Sequence, residues 1–182
     1  MKKLDEITKS ESVAYKGSFL EFKKDEVLLP DGNYAFREYI HHPGAVAILV
    51  IDKDDNVYME RQFRYPIRKI IYEIPAGKLE KGEDILEAAK RELEEETGLI
   101  AKNMEKLGED YPCVGYSDEV IHIYLVKEFE EGKQHLDEEE FVEVEKIPYD
   151  QVLEMIKNGE IKDSKTVHAI SLYKIKYDNV EL

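Results

Sequence analysis

Three glutamates, Glu92, Glu95 and Glu96, stand at i, i+3 and i+4 within the run Arg91-Glu92-Leu93-Glu94-Glu95-Glu96. On a helix that spacing puts their side chains on one face. Three carboxylates there repel one another, and a bound cation offsets the cost. Hard divalent ions such as Mg2+ take oxygen ligands and keep several waters, often with substrate phosphates completing the shell. The plainer alternative is a solvated, Glu-rich surface. A second acidic run, Asp137-Glu138-Glu139-Glu140, precedes Phe141-Val142-Glu143-Val144. Residues 73–96 hold nine acids against four bases, and residues 137–145 hold six acids and no base, so these 33 residues carry 11 of the 15 net negative charges. The imbalance is concentrated where a cation site would need it.

The elements that must position these acids follow from pattern. Ile85, Leu86, Ala89 and Leu93 give residues 84–97 one apolar helical face, and Gly98 falls where a helix-ending glycine belongs. Ala45 to Ile51 is a continuous apolar run, as in a strand buried on both faces. Val57 to Phe63, Lys69 to Ile74, Glu119 to Lys127 and Phe141 to Lys146 read as further strands, and Gly77 to Gly82 as a loop. Asp150 to Gly159 and Ser164 to Tyr177 read as helices. Ahead of these, residues 12–29 alternate loosely and end at Pro30-Asp31-Gly32-Asn33, a turn between two strand-like runs, the second being Tyr34 to His41. Interleaved strands and helices predict an α/β chain with a mixed sheet covered by helices. The expected division is an N-terminal β-hairpin extension, residues 1–43, and a main domain, residues 44–182.

The 182 residues carry 26 Lys and Arg against 41 Asp and Glu, a net charge of −15. Sequence-independent nucleic-acid binding and docking on anionic lipid both need a basic surface, so neither is expected. Gly44 to Ile51 is too short to span a bilayer. The start, MKKLDEITKS, lacks the apolar stretch of a secretory signal. A cytoplasmic location is expected. The single cysteine, Cys113, excludes an internal disulfide and reads as a packing residue. The five histidines, His41, His42, His122, His135 and His168, have no metal-ligand spacing.

Gly77, Glu83, Arg91, Glu92, Leu93, Glu95, Glu96, Gly98 and Leu99 satisfy every fixed position of G-x5-E-x7-R-E-U-x-E-E-x-G-U, where U is apolar. This resembles the Nudix box. The resemblance implies an α/β/α sandwich with a mixed sheet, in which a loop–helix–loop carries metals. It also implies hydrolysis of a nucleoside diphosphate linked to another moiety. Glu92 and Glu96 are then the main metal ligands, Glu95 a further one, and the Ala76 carbonyl adds another. Mg2+ is the expected ion, with Mn2+ as a substitute. Arg91 and Glu83 brace the loop by an ion pair. An acidic site can hold an anionic diphosphate only through bridging cations, and such ions also polarise phosphoryl oxygens and acidify water.

The flanks resemble the ADP-ribose pyrophosphatase branch: Gln62-Phe63-Arg64-Tyr65-Pro66, Glu73-Ile74-Pro75-Ala76-Gly77, Arg37-Glu38 and His42-Pro43-Gly44-Ala45-Val46. The resemblance implies that Arg64 contacts the diphosphate, and that Glu73 and Arg37 position the nucleotide. It implies a homodimer formed through the N-terminal extension, which also contributes to the nucleotide pocket. Glu140 is the first choice for the base that activates water, and Glu139 the second. Adenine stacking falls to Phe19, Phe22 or Tyr15, since the chain has no Trp. One departure stands out: Val114 occupies the place where that branch carries Pro, and Tyr116 lies near where dinucleoside polyphosphate hydrolases carry a stacking tyrosine. The expected substrate is ADP-ribose or a related ADP-sugar. Dinucleoside polyphosphates or other nucleoside diphosphate derivatives are the alternative, and a non-catalytic nucleotide-sugar-binding module is a further one.

Overall fold

A computed structural model describes residues 4–177. Two compact units make up the chain. One comprises residues 1–43 and 113–119, the other residues 44–112 and 120–182.

In the N-terminal unit, strands β1 (Ile7–Ser10), β2 (Val13–Lys16), β3 (Glu21–Leu28) and β4 (Tyr34–His41) form one sheet. The expected hairpin is β3 and β4, antiparallel from Glu21↔His41 to Leu28↔Tyr34. Its turn closes with the Gly32 N–H on the Leu29 carbonyl at 3.0 Å and Gly32 at φ 90°, a conformation that costs glycine little. The strand-like run at 12–29 divides into β2 and β3, and β1 precedes it, outside any expected strand. Strands β1 and β2 both pair along the other edge of β3. Residues 113–119 join this unit through the Ile40 N–H, which donates to the Tyr116 carbonyl at 2.8 Å.

The second unit contains β5 (Ala45–Val50), β6 (Asn56–Arg64), β7 (Lys69–Glu73), β8 (Ala76–Lys78), α1 (Ile85–Thr97), β9 (Leu99–Ala101), β10 (Glu105–Asp110), β11 (Ile121–Val126), β12 (Phe129–Glu131), β13 (Val142–Pro148), α2 (Tyr149–Lys157) and α3 (Ser164–Tyr177). The mixed sheet has the order β10-β11-β5-β8, with β11 parallel to β5. A second, antiparallel sheet has the order β13-β6-β7, and β12 pairs β9. The loop expected from Gly77 begins instead as strand β8, because residues 76–78 pair with Ala45–Ala47.

Strand alternation on β5 divides the interior. Ala45, Ala47 and Leu49 face one core with Val152 and Met155 of α2 and Ala169, Ile170 and Tyr173 of α3. Val46, Ile48 and Val50 face the other core with Ala88, Ala89 and Leu93 of α1. One strand buried on both faces therefore forces helices onto both sides, which is the α/β/α layering.

Helix α1 is capped at both ends. Asp84 Oδ1 accepts from the Leu86 N–H at 2.9 Å and the Glu87 N–H at 3.2 Å, and Gly98 closes the helix at φ 72°. Replacing Asp84 by Ala removes the acceptor for two otherwise unpaired donors. It is expected to cost about 1 kcal/mol of stability, read as a lower midpoint in urea denaturation.

Candidate active site

Helix α1 delivers four side chains to one corner of the second unit. Glu92 and Glu96 are buried, while Arg91 and Glu95 are half-buried. Arg91 holds the corner together. Its Nε and Nη2 meet Glu83 Oε1 and Oε2 at 2.8 and 3.0 Å, and its Nη1 meets Glu92 Oε1 at 2.9 Å and Glu95 Oε2 at 2.8 Å. Glu83 also accepts the Glu80 N–H at 3.0 Å, so the Arg91–Glu83 pair braces the loop as the sequence suggested. These carboxylates hold the Arg91 guanidinium well above its ordinary pKa.

Two backbone features seat the other carboxylates. The Ala76 N–H donates to Glu96 Oε2 at 2.9 Å. At Gly77 an added Cβ would lie 1.9 Å from the Glu92 carboxyl carbon. Only glycine lets that carboxylate rest against the chain.

Glu60, on β6, is the site residue that sequence reasoning missed. It is 2% exposed, and its Oε1 has no hydrogen-bond partner among the described residues. A signal was present. Val57 and Met59 face the α3 core and Tyr58 the α1 core, so alternation turns Glu60 toward α1. Burial, and then the charge of Glu73, push its carboxyl up to about 8. Burial, then Glu60 and Glu92, push Glu96 up to about 10, and burial raises Glu92 as well. Glu140 contributes to the field at all three.

The acidic loop is tied to α1. The Gly132 N–H donates to the Gly98 carbonyl at 2.7 Å, Gln134 Nε2 to the Glu96 carbonyl at 2.5 Å, and the His135 N–H to the Glu95 carbonyl at 3.0 Å. Segment 132–135 thus satisfies carbonyls that the helix end leaves unpaired. Close packing enforces this, because a Cβ at Gly98 would lie 2.6 Å from the Gln134 nitrogen. Five residues beyond His135 the chain reaches half-buried Glu140, whereas Glu139 is exposed. Beside Glu140 opens a cavity of about 510 Å3 whose lining includes Phe63, Ile70, Leu136 and Phe141.

Arg64 and Glu73, both expected to meet the nucleotide, are bonded to each other. Arg64 Nε and Nη2 donate to Glu73 Oε1 and Oε2, each at 2.8 Å. Glu73 is 1% exposed and also accepts from Lys165 Nζ. It can therefore act on a ligand only through these cations. The Arg64 side chain remains 41% exposed.

A Nudix domain model matches residues 41–170. The chain belongs to the Nudix family. It is 41% identical to the ADP-ribose pyrophosphatase of Bacillus subtilis (strain 168), over 97% of this chain and 96% of that one. It is 43% identical to the methanol dehydrogenase activator of Bacillus methanolicus, over 89% of each. A crystal structure of an ADP compounds hydrolase superposes with a TM-score of 0.84 at 17% identity, covering 98% of this chain and 97% of that one. That likeness shows the fold.

Nudix hydrolases of this kind depend on divalent metal, and the donor set suits one. Carboxylates outnumber the bases at the corner, Glu60 Oε1 has no partner among the described residues, and Gly77 leaves room at Glu92. Among the described residues no three acidic, His or Cys groups converge in ligating geometry. Arg91 instead occupies oxygens of Glu92 and Glu95.

The remaining expected residues of this Nudix chain lie in the N-terminal unit. Arg37, on β4, pairs with Glu6 at Nε and Nη2. Tyr15, Phe19 and Phe22 are exposed. Cys113, expected only to pack, is half-exposed and donates through Sγ to the Tyr116 hydroxyl at 3.0 Å.

The raised carboxyls predict a pH dependence. In the folded, metal-free chain Glu60 keeps its proton up to about 8, whereas the unfolded chain releases it near 4.5. The folded state then binds more protons in that window, so stability falls as pH rises through it. The Tm in EDTA should drop between pH 5 and 8, and Glu60→Gln should flatten the drop. Gly77→Ala should weaken divalent-cation binding by about tenfold in calorimetry, by displacing Glu92.

Proposed function

We propose that the chain is a Mg2+-dependent pyrophosphohydrolase that splits ADP-ribose, or a related ADP-sugar, into AMP and ribose 5-phosphate. The observation that carries this reading is the buried carboxylate corner of Glu60, Glu92 and Glu96, within the field of Glu140, in a Nudix chain. The relatives support the substrate: one 41% identical over nearly the whole chain is an ADP-ribose pyrophosphatase.

Glu92, Glu95, Glu96 and the Ala76 carbonyl would hold the metal, with Glu60 as a further acidic neighbour. When bound, divalent ions neutralise the diphosphate and polarise its phosphoryl oxygens. Glu140, in preference to Glu139, takes a proton from the attacking water, whose oxygen joins a phosphorus as the bridging P–O bond breaks. Its half-buried position and its influence on the buried acids support that preference. Arg64 binds the diphosphate through the guanidinium edge that Glu73 leaves open, a fork suited to phosphate. Glu73 positions the nucleotide by orienting Arg64. The cavity beside Glu140 offers Phe63 and Phe141 to the apolar faces of the nucleoside.

Arg37 and the N-terminal unit serve a homodimer and its nucleotide pocket, and the protein works in the cytoplasm. Among the described residues no helix is long and apolar enough to cross a membrane.

Glu96→Gln tests the chemistry. Glutamine matches the shape of the protonated acid that the metal-free chain already favours, so the fold should survive. The kcat should fall by about 10³-fold or more, with circular dichroism unchanged. Wild-type turnover in this variant would refute the metal assignment. A panel of ADP-ribose, GDP-mannose and diadenosine polyphosphates with Mg2+ tests the substrate, and hydrolysis of ADP-ribose should dominate.

A further inference from the structure

At the entry to α3, Asp163, Lys165 and Thr166 grip a strand exit 92 residues earlier in the chain. Thr166 is fully buried, and its Oγ1 accepts from the Ile74 N–H at 2.9 Å while donating to Asp163 Oδ2 at 2.7 Å. Lys165 is also buried, and its Nζ donates to Glu73 Oε2 at 2.5 Å and Asp163 Oδ1 at 3.1 Å. Asp163 is thereby the common acceptor that orients both neighbours.

The two grips act on different parts of the site. The pairing of β6 with β7 ends at Glu60↔Glu73, so the buried Ile74 N–H lies beyond the ladder and depends on Thr166. Two residues later comes Ala76, whose N–H holds Glu96 and whose carbonyl is assigned to the metal. Lys165 instead grips a side chain. Glu73 Oε2 is shared between Lys165 Nζ and Arg64 Nη2, which fixes the plane of the carboxylate and therefore the direction in which the Arg64 fork points.

We propose that Lys165 and Thr166 are positioning residues of the hydrolase, Lys165 for the diphosphate-binding Arg64 and Thr166 for the metal-holding segment at Ala76. The inference rests on the roles given above to Arg64 and Ala76. A role confined to stability would lower Tm without separating substrate binding from metal binding.

Four variants test it, read by steady-state kinetics, Mg2+ calorimetry and Tm. Lys165→Met should raise KM for ADP-ribose by about tenfold, keep kcat within about threefold, and leave the calorimetric Mg2+ affinity at the wild-type value. Lys165→Arg, which retains a donor to Glu73, should recover most of the loss. Thr166→Val should weaken Mg2+ binding by about tenfold while KM at saturating Mg2+ stays near wild type, and Thr166→Ser should restore it. Equal effects on KM, kcat and Mg2+ affinity in both substitutions, or a change in Tm alone, would overturn the proposal. If Thr166→Val does not fold, amide exchange of Ile74 in the wild type decides. Exchange should slow when Mg2+ binds, and unchanged exchange refutes the coupling. Mg2+ affinity and amide exchange are read without substrate. A wild-type protein inert toward ADP-ribose would therefore defeat the substrate reading while the Thr166 arm is still decided by Mg2+ affinity and amide exchange, and the Lys165 arm would be decided by KM for whichever substrate of the panel is hydrolysed.

Discussion

Burying carboxylates against one another is among the most expensive things a fold can do, because each loses water and each repels the next. Glu60, Glu92 and Glu96 are nevertheless gathered at one corner. Several features make this tolerable in the metal-free chain. Arg91 neutralises the outer side through three carboxylates. The Ala76 N–H serves Glu96, and raised proton affinity lets Glu60 and Glu96 stay neutral. A divalent cation would replace those protons, so the cost of assembly is converted into affinity for the ion the reaction needs.

The layered architecture explains why the corner forms where it does. Strand β5 is buried on both faces, so α1 lies on one side of it and α2 with α3 on the other. Segment 73–76 is then reached from both layers. Glu96 of α1 takes its Ala76 N–H, while Lys165 and Thr166 of α3 take the Glu73 side chain and the Ile74 N–H. A short stretch of backbone is thus fixed from opposite sides, and with it the proposed metal ligand at Ala76 and the Arg64 side chain. The acidic loop is restrained likewise, its approach bonded to the C-terminal carbonyls of α1.

Much of this was legible locally. The helix at 85–97 follows from apolar spacing with Asp84 and Gly98 at its ends, and β5 from an unbroken apolar run. Strands β10 and β12 leave little local signal, since Glu105–Asp110 (EKLGED) and Phe129–Glu131 (FEE) carry too few apolar residues for a period to register, and β9, Leu99–Ala101, is too short to show one. The acids of α1 were recognisable as a group because helical spacing is a property of neighbours. Strand alternation on β6 turns Glu60 inward, but its meeting with the acids of α1 depends on how the sheet and helix pack. Lys165 and Thr166 were hidden more deeply: nothing near them in the chain distinguishes them from ordinary residues of a helix.

The sequence by itself determined which chemical groups are present and how the helix aligns them, because those depend on residues a few positions apart. It also marked Arg64 and Glu73 as functional types. Only the tertiary structure decided that these two bond each other, that Glu140 rather than Glu139 is half-buried, and that Glu60 joins the corner. Burial and charge proximity are set by strand register and layer packing between residues far apart in the chain. No local pattern encodes the distance between two carboxylates that meet only once the sheets and helices have closed around them.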